Sequence, residues 1–165
     1  MEFEEFAAAR MPALLRYAVL LAGDRELARD IVQEVLTRAL LRWRRIRTLD
    51  EPYAYVRAMV TNEFLSLRRR KAIRTVPLGQ HEPDVVSSAD TAGQFGEHQA
   101  MWQLLATLPR QQRAVLVLRY YEGLSDEEIA RVLGCRPGTV RGYASRALAT
   151  LRVDLNLLSA KGGKP

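Results

Sequence analysis

Five side chains able to hydrogen-bond nucleic acid fall close together near the end of the chain, on a basic helical segment and just before it. Arginine can form two parallel hydrogen bonds to a guanine edge, and hydroxyls can bind phosphates or base edges. The spacing predicts one polar helix face suited to a DNA major groove, although such a face is also typical of plain exposure to solvent. The five residues are Arg136, Thr139, Arg141, Ser145 and Arg146.

The elements that position this face have their ends marked in the sequence. Ser125, followed three residues later by Glu128, predicts a capping box, and the acidic pair after Ser125 adds negative charge at the positive end of the helix. Gly134 predicts the left-handed residue that ends this helix after about two turns. Pro137 suits the first turn of the next helix, whose apolar face begins at Val140. A short helix, a tight turn and a second helix in this order predict a helix-turn-helix.

The charge of the chain is unevenly distributed. The 165 residues include 25 Lys and Arg against 19 Asp and Glu, which gives a net charge of +6. Residues 1–37 have a net charge of −3, residues 38–74 of +8, residues 75–99 of −4, and the remainder of +5. Two positive regions separated by an acidic stretch favour two contacts with a polyanion.

Composition argues against several other kinds of site. The single cysteine, Cys135, excludes an internal disulfide, and His81 and His98 alone indicate no metal cluster. No apolar run approaches the roughly 18 residues of a membrane span, and acidic residues stand where a signal peptide would need basic ones. No nucleophile paired with a histidine base is evident. We therefore expect a cytoplasmic protein that is not an enzyme, has no catalytic residue, uses no metal or cofactor, and does not insert into a membrane.

Helical periodicity predicts an all-α chain made of two small helical domains joined by a flexible linker, with the helix-turn-helix in the C-terminal domain. The N-terminal domain is expected over residues 1–74. Its helices are predicted from Phe3 to Leu21, from the cap at Asp24 to about Trp43, and from Pro52 through Leu67 into the sequence RRRKAIR.

The rest of the chain divides by composition. Residues 75–97 are rich in Pro, Gly, Ser and acidic residues and predict the linker. The C-terminal domain is expected over residues 98–158, with helices around Met101 to Thr107 and Pro109 to Tyr121 before the helix-turn-helix. Residues 159–165 are expected to form a tail.

Large side chains at helical spacing are expected in the two cores. Leu116, Leu118 and Tyr120 are predicted to be buried in the C-terminal domain. Tyr53, Tyr55 and Trp43 are candidates for stacking on nucleic acid bases. For Tyr55 and Trp43, however, helical spacing favours burial in the core.

The order of motifs along nearly the whole chain resembles the two-domain layout of bacterial extracytoplasmic-function sigma factors, the small members of the sigma-70 family. DIVQE at residues 30–34 is close to the DLVQE of that family. LPRQQR at residues 108–113, YEGLSDEEIARVLG at 121–134 and GTV at 138–140 resemble its second DNA-binding domain. The resemblance implies an alternative sigma factor that binds core RNA polymerase and directs promoter recognition, promoter opening and transcription initiation.

The resemblance also implies roles for individual residues. Asp30, Gln33 and Glu34 share one side of a helix, which by itself suits either a polar partner surface or solvent. The family implies that they bind the clamp helices of the large polymerase subunit. Asn62 matches the position of a base-reading asparagine at the promoter element nearest the start site. Candidate phosphate contacts beside it are Arg57, Arg68, Arg69, Arg70 and Lys71.

On the upstream element, the resemblance implies that Arg141, Ser145 and Arg146 are the main DNA contacts. Thr139 and Arg136 would be phosphate or helper contacts. Gly142 departs from the polar residue that is usual at its position in the family, and it leaves open which side chains contact bases. Related factors are often held inactive by an anti-sigma factor, which is a possible further partner.

Two other function classes remain as alternatives. A stand-alone helix-turn-helix regulator would need an N-terminal half that senses a ligand or a phosphoryl group. No alternation of strands and helices and no Gly-rich phosphate loop is present to build one. An enzyme is the more remote alternative, because no constellation of catalytic residues is evident.

Overall fold

The computed structural model describes the backbone of residues 1–74 and 96–162, and the side chains of residues 1–67 and 100–152. Every regular element in this part of the chain is helical, which confirms the all-α prediction. The chain divides into two compact units, Met1–Ser88 and Ala89–Pro165. Most of the predicted linker, residues 75–95, lies outside the described residues.

The N-terminal unit consists of α1 (Phe3–Ala22), α2 (Arg25–Leu41), the single turn α3 (Trp43–Ile46) and α4 (Pro52–Arg74). Gly23, with φ at 70°, ends α1 in the left-handed conformation that glycine adopts without a steric penalty. The Asp24 carboxylate accepts hydrogen bonds from the backbone N–H groups of Glu26 and Leu27, which confirms it as the cap of α2.

Helices α1, α2 and α4 pack around one apolar core. Its fully buried side chains include Phe6, Leu14, Leu21, Ile31, Val35, Val56, Val60 and Phe64. Inside it, the Tyr17 hydroxyl lies 2.6 Å from Thr61 Oγ1. Because Thr61 Oγ1 donates its own hydrogen to the carbonyl of Arg57, Tyr17 is the donor to Thr61. The bond therefore satisfies two buried hydroxyls and fixes α1 against α4.

Trp43 belongs to this core, as its spacing predicts. It is 6 % exposed and packs edge-on against Phe3, with ring centroids 5.6 Å apart, and at a tilt against Phe6 at 4.8 Å. Its indole N–H donates to the carbonyl of Met1 at 3.1 Å. The Trp43 ring therefore stabilises the core and is not accessible for stacking on bases.

Tyr55 is not in the core, and the prediction that it would be buried there is wrong. Its side chain is 41 % exposed. The buried stripe of α4 runs through Val56, Val60 and Phe64. Tyr55 precedes this stripe by one residue, and one residue rotates a side chain by about 100° around an α-helix. It therefore remains a candidate for stacking on bases.

The C-terminal unit consists of α5 (Gly96–Ala106), α6 (Arg110–Leu116), a π-helical turn (Val117–Tyr121), α7 (Asp126–Leu133) and α8 (Pro137–Gly162). Its core includes Leu105, Leu108, Val115, Leu118, Ile129, Val140, Ala144 and Ala147. Helix α8 continues past residue 158, so that the first residues of the expected tail are helical.

Arg113 explains the LP-x-x-x-R pattern seen in the sequence. Its side chain is 2 % exposed, and Nη2 donates to the carbonyl of Leu108 at 3.1 Å and to that of Ala106 at 3.5 Å. Ala106 is the last residue of α5, where carbonyls have no partner within the helix, and Leu108 lies in the loop before α6. The arginine therefore closes the corner between α5 and α6 from inside the core.

The helix-turn-helix has the ends that its sequence predicts. Glu128 N donates to the Ser125 hydroxyl at 3.2 Å and Ser125 N donates to Glu128 Oε1 at 3.3 Å, which completes the capping box. Gly134 has φ at 67° and ends α7 after eight residues, and Pro137 begins α8.

Tyr120 departs from its prediction, because its side chain is 64 % exposed rather than in the core. Leu116 and Leu118 are buried as expected. After α6 the backbone bonds switch to the wider π pattern, as in the bond from Glu122 N to the carbonyl of Val117. The wider turn changes the angle at which the following side chains leave the helix, so that Tyr120 points outwards.

Candidate nucleic-acid interface

The five polar residues predicted at the helix-turn-helix are all exposed. The opposite side of α8 is held in the core by Val140, Ala144 and Ala147. Burial of that side leaves the other side of the helix outermost, with guanidinium and hydroxyl groups along it. The structure therefore brings together Arg136, Thr139, Arg141, Ser145 and Arg146 on a surface that a DNA groove could receive.

Two arginines of this face lie close to neighbouring side chains. Arg141 Nη1 lies 3.9 Å from Asp126 Oδ2 at the start of α7, and the other oxygen of Asp126 accepts a hydrogen bond from Arg119 Nη2 in the π-helical turn. The bond to Asp126 raises the pKa of Arg119. The guanidinium of Arg146 lies over the ring of Tyr143 at 5.4 Å.

Sequence reasoning gave the acidic pair after Ser125 a helix-dipole role only, and it missed Arg119. Arg119 and Asp126 are seven residues apart but belong to different elements. The spacing rules for pairs within one helix therefore do not predict their contact.

Two glycines in the first turns of α8 lie beneath Arg141 and Arg146. A Cβ atom at Gly138 would be 3.8 Å from Arg141 Nη2, and one at Gly142 would be 3.7 Å from Arg146 Nη2. Both are ordinary van der Waals distances, so glycine is not required there for lack of space. The absence of a side chain at these two glycines leaves the helix backbone there without a Cβ atom covering it.

In the N-terminal unit, Asn62 is exposed on α4, and its Nδ2 donates to the carbonyl of Ala58 at 3.0 Å. Its neighbour Thr61 is buried, so that α4 packs in the core on one side and exposes Asn62 on the other.

Arg57, expected to bind phosphate, is 9 % exposed, with its guanidinium 5.5 Å from the centre of the Tyr53 ring. It serves the packing of α4 and is a weaker candidate for DNA contact than its sequence suggested. Helix α4 includes Arg68, Arg69, Arg70 and Lys71, but their side chains lie outside the described residues.

A basic hollow that sequence reasoning did not single out lies around α3 and the loop that follows it. The hollow has a volume of about 770 Å³ and is lined in part by Leu41, Leu49 and Tyr55. Leu41 is 81 % exposed. The feature of the sequence that could have predicted this site is the net charge of +8 over residues 38–74. The exposed arginines of the hollow are Arg42, Arg44, Arg45 and Arg47.

A third surface runs along α2, where Asp30, Gln33 and Glu34 are all exposed. Glu34 Oε1 accepts a hydrogen bond from Arg38 Nε at 3.2 Å, and Arg38 Nη2 donates to Glu63 Oε2 of α4 at 2.6 Å. These bonds raise the pKa of Arg38. Sequence reasoning missed both Arg38 and Glu63, which tie this surface to α4.

Beside these polar residues lies an apolar groove of about 530 Å³ between α1 and α2. Gln33 belongs both to the polar surface and to the wall of the groove. The other lining residues are Phe3, Ala7, Met11, Leu15, Arg29, Val32, Leu36, Thr37 and Leu40.

Two searches for other kinds of site found none in the part of the chain that the structure describes. No group of three or more His, Cys, Asp or Glu side chains there is arranged to hold a metal ion. None of its helices combines the length and apolar character needed to span a bilayer.

The two units match two regions of one protein family. Residues 6–73 match the model of sigma-70 region 2, and residues 98–151 match that of sigma-70, region 4. Since both regions are present in this order, the stand-alone regulator is not favoured.

Similar proteins agree with these matches. The RNA polymerase sigma-E factor of Streptomyces avermitilis is 37 % identical over 155 residues, which cover 94 % of this chain and 86 % of that protein. The ECF RNA polymerase sigma factor SigL of Mycobacterium tuberculosis is 32 % identical over 168 residues, covering 94 % and 88 %.

Among solved structures, the sigma factor RpoE of Bartonella quintana, crystallised with the anti-sigma factor NepR, superposes with a TM-score of 0.70 at 25 % identity. The match covers 93 % of this chain and 96 % of that one. The chain therefore belongs to the sigma-70 family, as one of the extracytoplasmic-function sigma factors, which are alternative factors for transcription initiation.

Proposed function

We propose that this chain binds core RNA polymerase through α2 and contacts promoter DNA through two surfaces, one on each unit. The observation that carries the proposal is the outward face of α8, where five polar side chains are exposed opposite a buried apolar side. That arrangement suits the major groove of an upstream promoter element, with Arg141, Ser145 and Arg146 as base contacts. Thr139 and Arg136 would contact phosphates.

The second DNA surface is proposed on the N-terminal unit, for the element where the strands separate. Tyr55 and Asn62 are seven residues apart on α4, which places them on one side of the helix two turns apart, and both are exposed. An exposed ring can stack on an unpaired base, and an amide can hydrogen-bond a base edge. The basic hollow beside Tyr55 supplies positive charge for the backbone of a separated strand.

Polymerase binding is proposed on the exposed face of α2. Asp30, Gln33 and Glu34 would contact the clamp helices of the large subunit, and the apolar groove that begins at Gln33 would bury apolar side chains of the same partner. A polar rim beside an apolar centre is the usual composition of a protein interface. The family relationship supports this choice of partner.

An anti-sigma factor is proposed as a further partner. The support is that RpoE of Bartonella quintana, which this chain resembles over 93 % of its length, was crystallised with the anti-sigma factor NepR. Such a partner would compete with polymerase for this chain if it covers the same α2 surface.

Reconstituted transcription tests the proposed function. The full chain is added to core RNA polymerase from Streptomyces avermitilis, the source of the first relative above, with a library of double-stranded promoter fragments. Sequencing of the transcript starts should reveal initiation at sites that share two separated sequence elements. Core polymerase alone is the control, and an identical set of starts with and without the chain would contradict the proposal.

A further inference from the structure

Asp126, the first residue of α7, lies between an arginine of the π-helical turn and an arginine of α8. One carboxylate oxygen accepts a hydrogen bond from Arg119, and the other lies 3.9 Å from Arg141 Nη1. The side chains of Arg119 and Asp126 are 24 % and 21 % exposed, whereas that of Arg141 is 60 % exposed. Arg119 therefore holds the Asp126 carboxylate in place beside the Arg141 guanidinium, which is accessible to an approaching ligand.

We propose that Asp126 is a positioning residue for the DNA contact of Arg141, and that Arg119 holds Asp126 in place for this task. Base preference at the upstream promoter element would then depend on a carboxylate outside the recognition helix. This inference rests on the proposed function, because it requires that α8 binds promoter DNA.

The carboxylate has two physical effects on DNA binding, and one of them favours discrimination between DNA sequences. An arginine that is free in solution loses rotamer entropy when DNA orders it, and a partner that narrows its rotamers beforehand reduces this loss for the matching site. A carboxylate next to the groove also repels phosphates, which weakens binding to every sequence alike. The first effect alone raises the ratio of specific to non-specific binding, because repulsion that is equal for every sequence cancels in that ratio.

The surroundings of Arg141 fit this role. Its Nη2 lies over Gly138, where a Cβ atom would be 3.8 Å away, so the guanidinium is bounded by the helix surface on one side and by Asp126 on the other. Among the contacts of the described residues, no hydrogen bond occupies the donors of this guanidinium, which leaves them available to a base edge.

The test compares Asp126→Asn with Glu127→Gln in the full chain. Glu127 is the next residue, is exposed, and lies in the same first turn of α7, so its replacement removes the same charge from the same helix end. Among the described contacts it has no ion pair with Arg141. Holoenzyme assembled with Streptomyces avermitilis core polymerase is given a promoter library randomised in the upstream element, and initiating sequences are counted.

The wild-type chain should show a base preference that Arg141→Ala removes at one or two base pairs. Asp126→Asn should weaken the preference at the same base pairs by about two- to fivefold, the range that an exposed ion pair supplies. Glu127→Gln should leave it unchanged. Asp126→Glu keeps the carboxylate and should retain most of the preference, and Asp126→Asn should add nothing to Arg141→Ala.

Each contrary outcome has a distinct meaning. If Asp126→Asn and Glu127→Gln leave the same preference as the wild type, or if both weaken it equally, the positioning role is overturned. If Arg141→Ala leaves the preference intact, the inference also fails, while initiation by the wild-type holoenzyme would still support the proposed function. If the wild-type chain directs no initiation, the proposed function fails and this inference with it.

Discussion

Arg38 on α2 donates from Nη2 to Oε2 of Glu63 on α4 at 2.6 Å, and the Glu63 side chain is only 4 % exposed. The two residues lie 25 positions apart and join the helix proposed to bind polymerase to the helix that carries Asn62. A carboxylate so little exposed depends on such partners, because water is largely excluded from it.

Replacing Arg38 by Met should therefore destabilise the N-terminal unit by about 2 kcal/mol. This lies between the roughly 1 kcal/mol of an exposed ion pair and the roughly 3 to 5 kcal/mol lost when a buried pair is broken. The measurement is urea unfolding of the full chain in a Trp102→Phe background, so that the fluorescence of Trp43 follows this unit. Arg29→Met, at an exposed position of the same helix, is the control and should change stability by less than about 0.5 kcal/mol. Equal effects of the two changes would show that the bond to Glu63 contributes nothing specific.

Asp30 offers a cleaner test of polymerase binding than Glu34. Reversal of Glu34 would also break its hydrogen bond to Arg38, whereas no ion pair of Asp30 is among the contacts of the described residues. Asp30→Lys should weaken binding to core polymerase at least tenfold, because a like charge facing a complementary partner costs well over 1 kcal/mol. Glu5→Lys makes the same change at an exposed position of α1 and should stay within about twofold. Affinity is measured by fluorescence titration of labelled chain with core polymerase, and unchanged affinity for Asp30→Lys would place the interface elsewhere.

The capping box at Ser125 should contribute to the stability of the helix-turn-helix. Ser125→Ala removes the acceptor for the backbone N–H of Glu128, and loss of such a cap costs about 1 kcal/mol. Ser145→Ala is the matched control. It replaces an exposed serine within α8 by a better helix former, and it should leave stability equal or slightly higher. Thermal unfolding should separate the two variants, whereas DNA binding by the holoenzyme should suffer more from Ser145→Ala. The reverse order in either measurement would contradict these assignments.

Local signals in the sequence predicted local structure well. Ser125 and Glu128 are three residues apart, and Gly134 ends a helix by its own backbone preference, so each could be interpreted without knowledge of the fold. Apolar residues at helical spacing likewise predicted the all-α class, and cap residues predicted several helix ends. What they could not predict is the exposure of Tyr120, because a π-helical turn leaves no mark in helical periodicity.

Contacts between distant residues were beyond the sequence. The partners of Arg38 and Asp126 are set by the packing of one helix against another, and a single sequence does not give that packing. For the same reason Arg57 was predicted to contact phosphate, although the structure buries it beside Tyr53. Candidate DNA residues were identified by their type, and the side chains that position them were found only in three dimensions.

Cys135, in the turn before α8, should react slowly with alkylating agents at neutral pH. Burial raises the pKa of its thiol above the ordinary value, which lowers the fraction of reactive thiolate. The folded chain thus holds this proton more tightly than the unfolded chain. The contribution of this thiol to folding stability is fully present below its pKa in the unfolded chain and is lost as pH rises through its pKa in the folded chain.

Since Cys135 is the single cysteine, iodoacetamide labelling followed by mass spectrometry reports on it alone. Labelling should be slower than in 8 M urea at the same pH and should accelerate as pH rises, and Cys135→Ser gives the background. Equal rates in folded and unfolded chain would refute the effect of burial.

Tyr55 should take part in promoter opening. A base that leaves the duplex loses its stacking, and an exposed aromatic ring can replace part of that energy, at about 1 to 3 kcal/mol per base. Tyr55→Ala should therefore lower initiation from a fully double-stranded promoter by about fivefold or more, while initiation from a template with a preformed bubble should fall much less. Tyr55→Phe keeps the ring and should retain most of the activity on both templates. Tyr121→Ala, at an exposed tyrosine of the other unit, controls for the loss of an aromatic side chain as such and should leave the ratio between the two templates unchanged. An equal loss on duplex and bubble templates for Tyr55→Ala would assign the residue to binding rather than to opening. No loss on either template would remove Tyr55 from the proposed DNA surface and leave Asn62 as its remaining base contact.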